Sequence, residues 1–129
     1  MLRPLVILSI DPMKLLNRLS LFALLCTVSV STWAHAILQK AVPAVNQVVS
    51  GTSTPVELRF NSRIDGKRSK LTLVAPDGHE QVLNIAEQSS PDTLASQATG
   101  LMPGAYVLRW QVLAQDGHIT RGEVSFKVH

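Results

Sequence analysis

The chain has 129 residues, with 12 Lys and Arg against 9 Asp and Glu, for a formal charge of +3 when histidines are neutral. That length accommodates one small domain with a single core. There is no polybasic run, which excludes nucleic acid as the expected partner.

In chain order, residues 1–12 sit oddly ahead of an export signal, and a start at Met13 explains them better. Residues 13–34 have the layout of a secretory signal peptide. Met13, Lys14 and Arg18 form a basic start, Leu19 to Val30 an apolar run, and Thr32-Trp33-Ala34 a small-residue end. The chain then divides into residues 1–34, the signal segment, and residues 35–129, the mature domain. A cut after Ala34 makes His35 the new N terminus. Ala34-His35-Ala36 is also an A-x-A pattern, and a cut after Ala36 would delete the histidine, so the residues alone leave both sites open. The apolar run falls short of the ~20 residues that span a bilayer. Export through a cleaved signal predicts an oxidising compartment outside the cytoplasm.

The sole cysteine, Cys26, falls in the segment to be removed. A lipidated Cys26 is disfavoured by Leu25 ahead of it, where lipidation signals carry a small residue. The mature domain would therefore have no disulfide and depend on its core alone. It keeps nine Lys and Arg and eight Asp and Glu, close to neutrality.

From Ala36 onward the apolar period is two. Val56, Leu58 and Phe60 alternate with Glu57 and Arg59, and Leu71 and Leu73 with Lys70 and Thr72. Tyr106, Leu108, Trp110 and Val112 share one face of the longest run, and Val124, Phe126 and Val128 share another. Such alternation predicts strands with one face on a core and one in water. Turn residues recur between them: Pro43, Gly51, Pro76-Asp77-Gly78, Pro103-Gly104 and Asp116-Gly117. The expected fold is all-β, a sandwich or barrel of about seven short strands, with Phe60, Trp110 and Phe126 in the core. Residues 86–100, rich in Ser, Gln, Ala and Thr, are the expected long loop.

The chemistry concentrates on three residues. An N-terminal His35 offers an amine and an imidazole on one residue, which together chelate a metal. Asp116 and His118 follow the longest strand, and on extended chain they would point to the same side. Three nitrogens and one oxygen suit Cu(II), and less specifically Ni(II). The soft sulfur ligands that favour Cu(I) are missing, since only Met102 remains and its turn position reads as a cap on the core. Binding would require the amine and rings to shed protons, so affinity is expected to fall in acid. The same tripeptide occurs as Asp77-Gly78-His79 between two predicted strands, where it reads as a hairpin turn, and His129 reads as an exposed chain end.

These residues resemble a known family. The stretch His35-Ala36-x-Leu38, then Pro43-Ala44, then Val56-x-Leu58-x-Phe60 is similar to the start of the CopC periplasmic copper-binding proteins. The resemblance continues through Leu101-x-Pro103-Gly104-x-Tyr106-x-x-x-Trp110-x-Val112 and Asp116-Gly117-His118-x-x-x-Gly122-x-x-x-Phe126-x-Val128. It implies a Greek-key barrel or sandwich of cupredoxin or immunoglobulin type, and cleavage ahead of His35. It implies one Cu(II) per chain, held by His35, Asp116 and His118, a role in copper resistance or homeostasis, and often a membrane copper-transport partner of the CopD type. Where the family often reads Phe-Ser-Glu, this chain has Phe60-Asn61-Ser62 followed by Arg63, so an acid near the metal is missing.

The expected protein is thus a monomeric copper carrier or buffer rather than an enzyme. One alternative is a histidine-brace copper oxidase acting on an external substrate, although the chain has few aromatics to hold a sugar. The other is a β-sandwich interaction module in which Asp116-Gly117-His118 is only a turn.

Overall fold

A computed structural model of the chain describes Pro4, residues 11–14 and residues 35–129. Apart from Met13 and Lys14, the predicted signal segment, its cleavage point and Cys26 lie outside the described residues. The chain divides into Met1–Trp33 and Ala34–His129, and the fold is that of the second unit. No helix among the described residues is long and apolar enough to cross a membrane.

Eight strands follow in order: β1 (Leu38–Val42), β2 (Val48–Val49), β3 (Thr54–Phe60), β4 (Ile64–Val74), β5 (Glu80–Leu83), β6 (Thr93–Ala98), β7 (Gly104–Ala114) and β8 (Ile119–Val128). They form a three-stranded sheet, β1-β3-β6, and a five-stranded sheet, β2-β8-β7-β4-β5. Neighbours are antiparallel except β2 and β8. The protein is a two-sheet sandwich, and the strand beyond the expected seven is explained by the two-residue β2.

Period-two sequence produces this directly. Along β3, buried and exposed residues alternate without a break. Val56, Leu58 and Phe60 from one sheet meet Leu71, Leu108, Val112 and Phe126 from the other in a single core. The indole of Trp110 packs edge-to-face on Phe60, with ring centres 5.1 Å apart.

Two expectations fail. Residues 93–98 are not loop but β6, paired with β3 from Thr93↔Arg59 to Ala98↔Thr54. Leu94 and Ala98 point into the core, and pairing with a central strand outweighs weak intrinsic strand preference. Met102 is not a core cap but is 69% exposed. Its neighbour Leu101 takes the buried position, while the Met102 N–H donates to the Tyr106 hydroxyl at 3.0 Å.

β4 carries a pronounced bulge. Asp65 pairs with Leu113 and Lys70 with Gln111, so residues 66–69 stand opposite Val112 alone. Gln88 ties this bulge down. Its Oε1 accepts the Gly66 N–H at 3.0 Å, and its Nε2 donates to the carbonyls of Ile64 and Thr93, both at 3.3 Å.

Candidate metal centre

The β7–β8 connection is a tight turn. The Gly117 N–H donates to the Ala114 carbonyl at 2.9 Å, and the Ala114 N–H to the His118 carbonyl at 2.8 Å. Gly117 has φ of 86°, a backbone state that side chains disfavour. The Asp116 carboxylate folds back to accept the His118 N–H at 3.0 Å through Oδ1. Its Oδ2 lies 3.1 Å from His118 Nδ1. Asp116 and His118 therefore do share one space, but an Asx turn brings them together, not the two-residue alternation of extended chain. The hydrogen bond from the His118 backbone, followed by the one from its ring, holds the Asp116 carboxyl below the usual carboxylate range.

His35 reaches the same place from the other sheet. Its ring stands edge-on to that of His118, with centres 5.6 Å apart at 73°. Ala36, the next residue, is buried at 1% exposure and anchors the segment. Asn61, just past the end of β3, locks it further. Asn61 Oδ1 accepts the Ile37 N–H at 2.7 Å, and the Asn61 N–H donates to the Ile37 carbonyl at 3.0 Å. Asn61 carries no metal-binding signature in sequence; an asparagine immediately after a strand, able to bridge backbone groups, is the one local sign of this positioning role.

The first Asp-Gly-His turn is a near copy. The Gly78 N–H donates to Ala75 at 2.9 Å, the Ala75 N–H to His79 at 2.8 Å, and the His79 N–H to Asp77 Oδ1 at 2.9 Å. Gly78 shares the φ of 86°. The difference is location. Val74 pairs with Val107 near one end of β7, whereas Ile64 pairs with Ala114 at the other. The two turns thus open from points seven residues apart along β7, about 23 Å at ~3.3 Å per residue. His35 stands only at the second. His129 follows β8 beyond the Gly104↔Val128 pair, at the far end.

Among the described residues, no three His, Cys, Asp or Glu side chains already converge as a metal-holding group. His35 and His118 are in ring contact, and the Asp116 carboxylate is engaged by His118. The donor set is two imidazoles and one carboxylate at a partly exposed mouth of the sandwich, with side-chain exposures of 47% for His118 and 29% for Asp116. That chemistry fits a borderline N/O-preferring divalent ion.

Fold and site together define a class: a two-sheet β-sandwich whose opposite sheets bring two histidines and an acid to one end. Residues 38–129 match the CopC domain, and the chain belongs to the CopC family. It is 31% identical over 105 residues to protein YobA of Escherichia coli K12, covering 78% of this chain and 84% of that one. It is 29% identical over 108 residues to copper resistance protein C of Xanthomonas campestris pv. juglandis, with the same coverage. Among solved structures, CopC from Methylosinus trichosporium OB3b superposes with a TM-score of 0.65 at 29% identity, covering 73% of this chain and 93% of the other. PcoC, a methionine-rich copper resistance protein from Escherichia coli, shares the fold with a TM-score of 0.61 at 24% identity, covering 74% of this chain and all of the other.

Proposed function

We propose that this protein is a periplasmic Cu(II) carrier or buffer serving copper resistance or homeostasis, binding one ion per chain, and that it is not an enzyme. The observation that carries the reading is the contact between His35 and His118, which lie in separate sheets' connecting segments and have no local reason to meet. Family membership and the similarity to copper resistance protein C supply the identity of the metal.

In the uncleaved chain the His35 nitrogen is a peptide amide. Removal of residues 1–34 by a signal peptidase converts it to an amine, so that His35 offers two donors. His118 adds a second ring and Asp116 an anionic oxygen that lowers the net charge of the bound ion. Residues 35–129 contain no cysteine and a single methionine, so the site favours Cu(II) over Cu(I). The working form is a monomer that exchanges copper with a membrane transporter of the CopD type.

The test is a variant with one glycine inserted between Ala34 and His35, processed so that the glycine is first. Mass spectrometry reports the first residue and the bound metal together. Cu(II) affinity should fall by more than the roughly 10–100-fold that loss of an outer partner costs. Unchanged affinity, or a native protein beginning at Ile37, overturns the N-terminal chelate.

A further inference from the structure

Charge in residues 35–129 is nearly balanced overall but unevenly placed. Between positions 63 and 70 stand four cations, Arg63, Lys67, Arg68 and Lys70, against the single acid Asp65. From residue 71 onward the balance reverses, with three cations and six acids. The β4 bulge concentrates this charge by looping residues 66–69 out of the ladder.

The basic segment borders a cleft of about 450 Å³ whose lining includes Arg63, Asp65, Arg68, Gln88, Gln115 and Gly117. Gly117 is the central residue of the metal turn, so the cleft and the candidate centre are contiguous. The Gln115 N–H donates to the Arg63 carbonyl at 3.1 Å, which fixes Arg63 one residue from the start of Asp116-Gly117-His118. Asp65 offsets one of the two lining cations, Arg68, and leaves the lining with a net positive charge from Arg63. Its Oδ1 accepts the Lys67 and Arg68 N–H groups at 3.0 and 3.2 Å, and its Oδ2 lies 3.7 Å from Arg68 Nε. Among the described residues Arg63 has no acidic partner within ion-pair distance, and the Arg68 side chain is 76% exposed.

We propose that this cleft is an anion site that takes a small polycarboxylate, and through it Cu(II) presented as an anionic carboxylate chelate. Two guanidinium groups are the side chains best matched to carboxylate oxygens, since each offers paired donors in a plane. The cleft volume falls in the range of small-molecule sites. The proposal rests on the copper reading and deepens it by naming the form in which the ion arrives. The chelate docks by its free carboxylates, the ion exchanges carboxylate oxygens for His35, Asp116 and His118, and the carboxylate departs. Copper stays Cu(II) throughout, so no electron donor is required. Ser62 and Arg63 at that edge favour such a guest, because an acid there would repel it.

The experiment compares the purified protein with an R63A/R68A variant in two arms. In the first, citrate is titrated calorimetrically into copper-free protein. The wild type should bind and the variant should not; absence of wild-type binding overturns the proposal. In the second, copper uptake is timed from Cu(II)–citrate and from the uncharged Cu(II)–bis-glycinate. The variant should take copper from citrate roughly tenfold more slowly, with the difference shrinking as salt rises, and from glycinate at the wild-type rate. An equal fall from both donors, or none from either, overturns it. Circular dichroism confirms that the variant folds, and R63Q/R68Q serves as a second variant that preserves side-chain bulk. If the wild type binds citrate but takes copper from neither donor, the copper reading fails and the carboxylate site alone stands.

Discussion

Gly122 has no room for a methyl group. A Cβ there would meet Trp110 Cζ2 closer than real Cβ contacts come, and would lie 2.6 Å from Cε2. These are ring atoms of an indole only 7% exposed and seated on Phe60, so they cannot swing aside as the end of a flexible chain would. Gly122 pairs directly with Trp110 across β7 and β8, and its missing side chain leaves the space that the indole edge occupies. Its backbone is not in the left-handed region, so the effect of substitution is steric alone. Gly122→Ala should destabilise the fold by about 1–3 kcal/mol through overpacking, read as a lower denaturant midpoint with an unchanged slope. A wild-type midpoint in G122A would mean that the indole has a second place to go.

At the scale of elements, the segment leading into β6 makes a pH prediction. Ser90 Oγ and Thr93 Oγ1 donate to Asp92 Oδ1 at 2.6 and 2.9 Å. The hydrogen bond from Ser90, then that from Thr93, holds the Asp92 carboxyl below its ordinary value. A carboxyl depressed in the folded state contributes its full stability above the unfolded pKa and loses it as pH falls through the folded one. Asp92→Asn should therefore be less stable than wild type at neutral pH, with the gap closing in acid; parallel stability curves would refute this. None of it was legible in sequence, because β6 hides behind Ser, Gln and Thr and is made a strand by its neighbour β3. Strands β3, β7 and β8 were legible, since each alternates strictly over its buried part. The bulge at residues 66–69 was not, because nothing local marks which partner residue it skips. The site was half legible. Asp116-Gly117-His118 reads as a turn from its dipeptide alone, but its twin at Asp77 reads identically. Only the topology, with Asn61 gripping Ile37 from 24 positions away, decides which turn receives His35.

At the scale of the whole molecule, the candidate centre joins the two sheets. His35 leads into β1 of the three-stranded sheet, and His118 sits between β7 and β8 of the five-stranded one. An ion held by both ties the sandwich shut at one end, and any ligand that binds only the folded state stabilises it by mass action. At a free concentration 100-fold above the dissociation constant, the gain is about 2.7 kcal/mol. For a domain of this size that corresponds to a rise of roughly 10 °C or more in unfolding temperature. With no cysteine in residues 35–129, disulfide chemistry cannot contribute to that shift, and a scan in reductant-free buffer reads the metal alone. The duplicated tripeptide supplies an internal control. His118→Ala should lose most of the Cu(II)-induced rise, because one sheet then contributes no ring. His79→Ala should keep all of it, because its turn lies at the far end of β7. Equal losses in the two variants would show that copper stabilises through scattered surface histidines, and the bridge between the sheets would have to be given up.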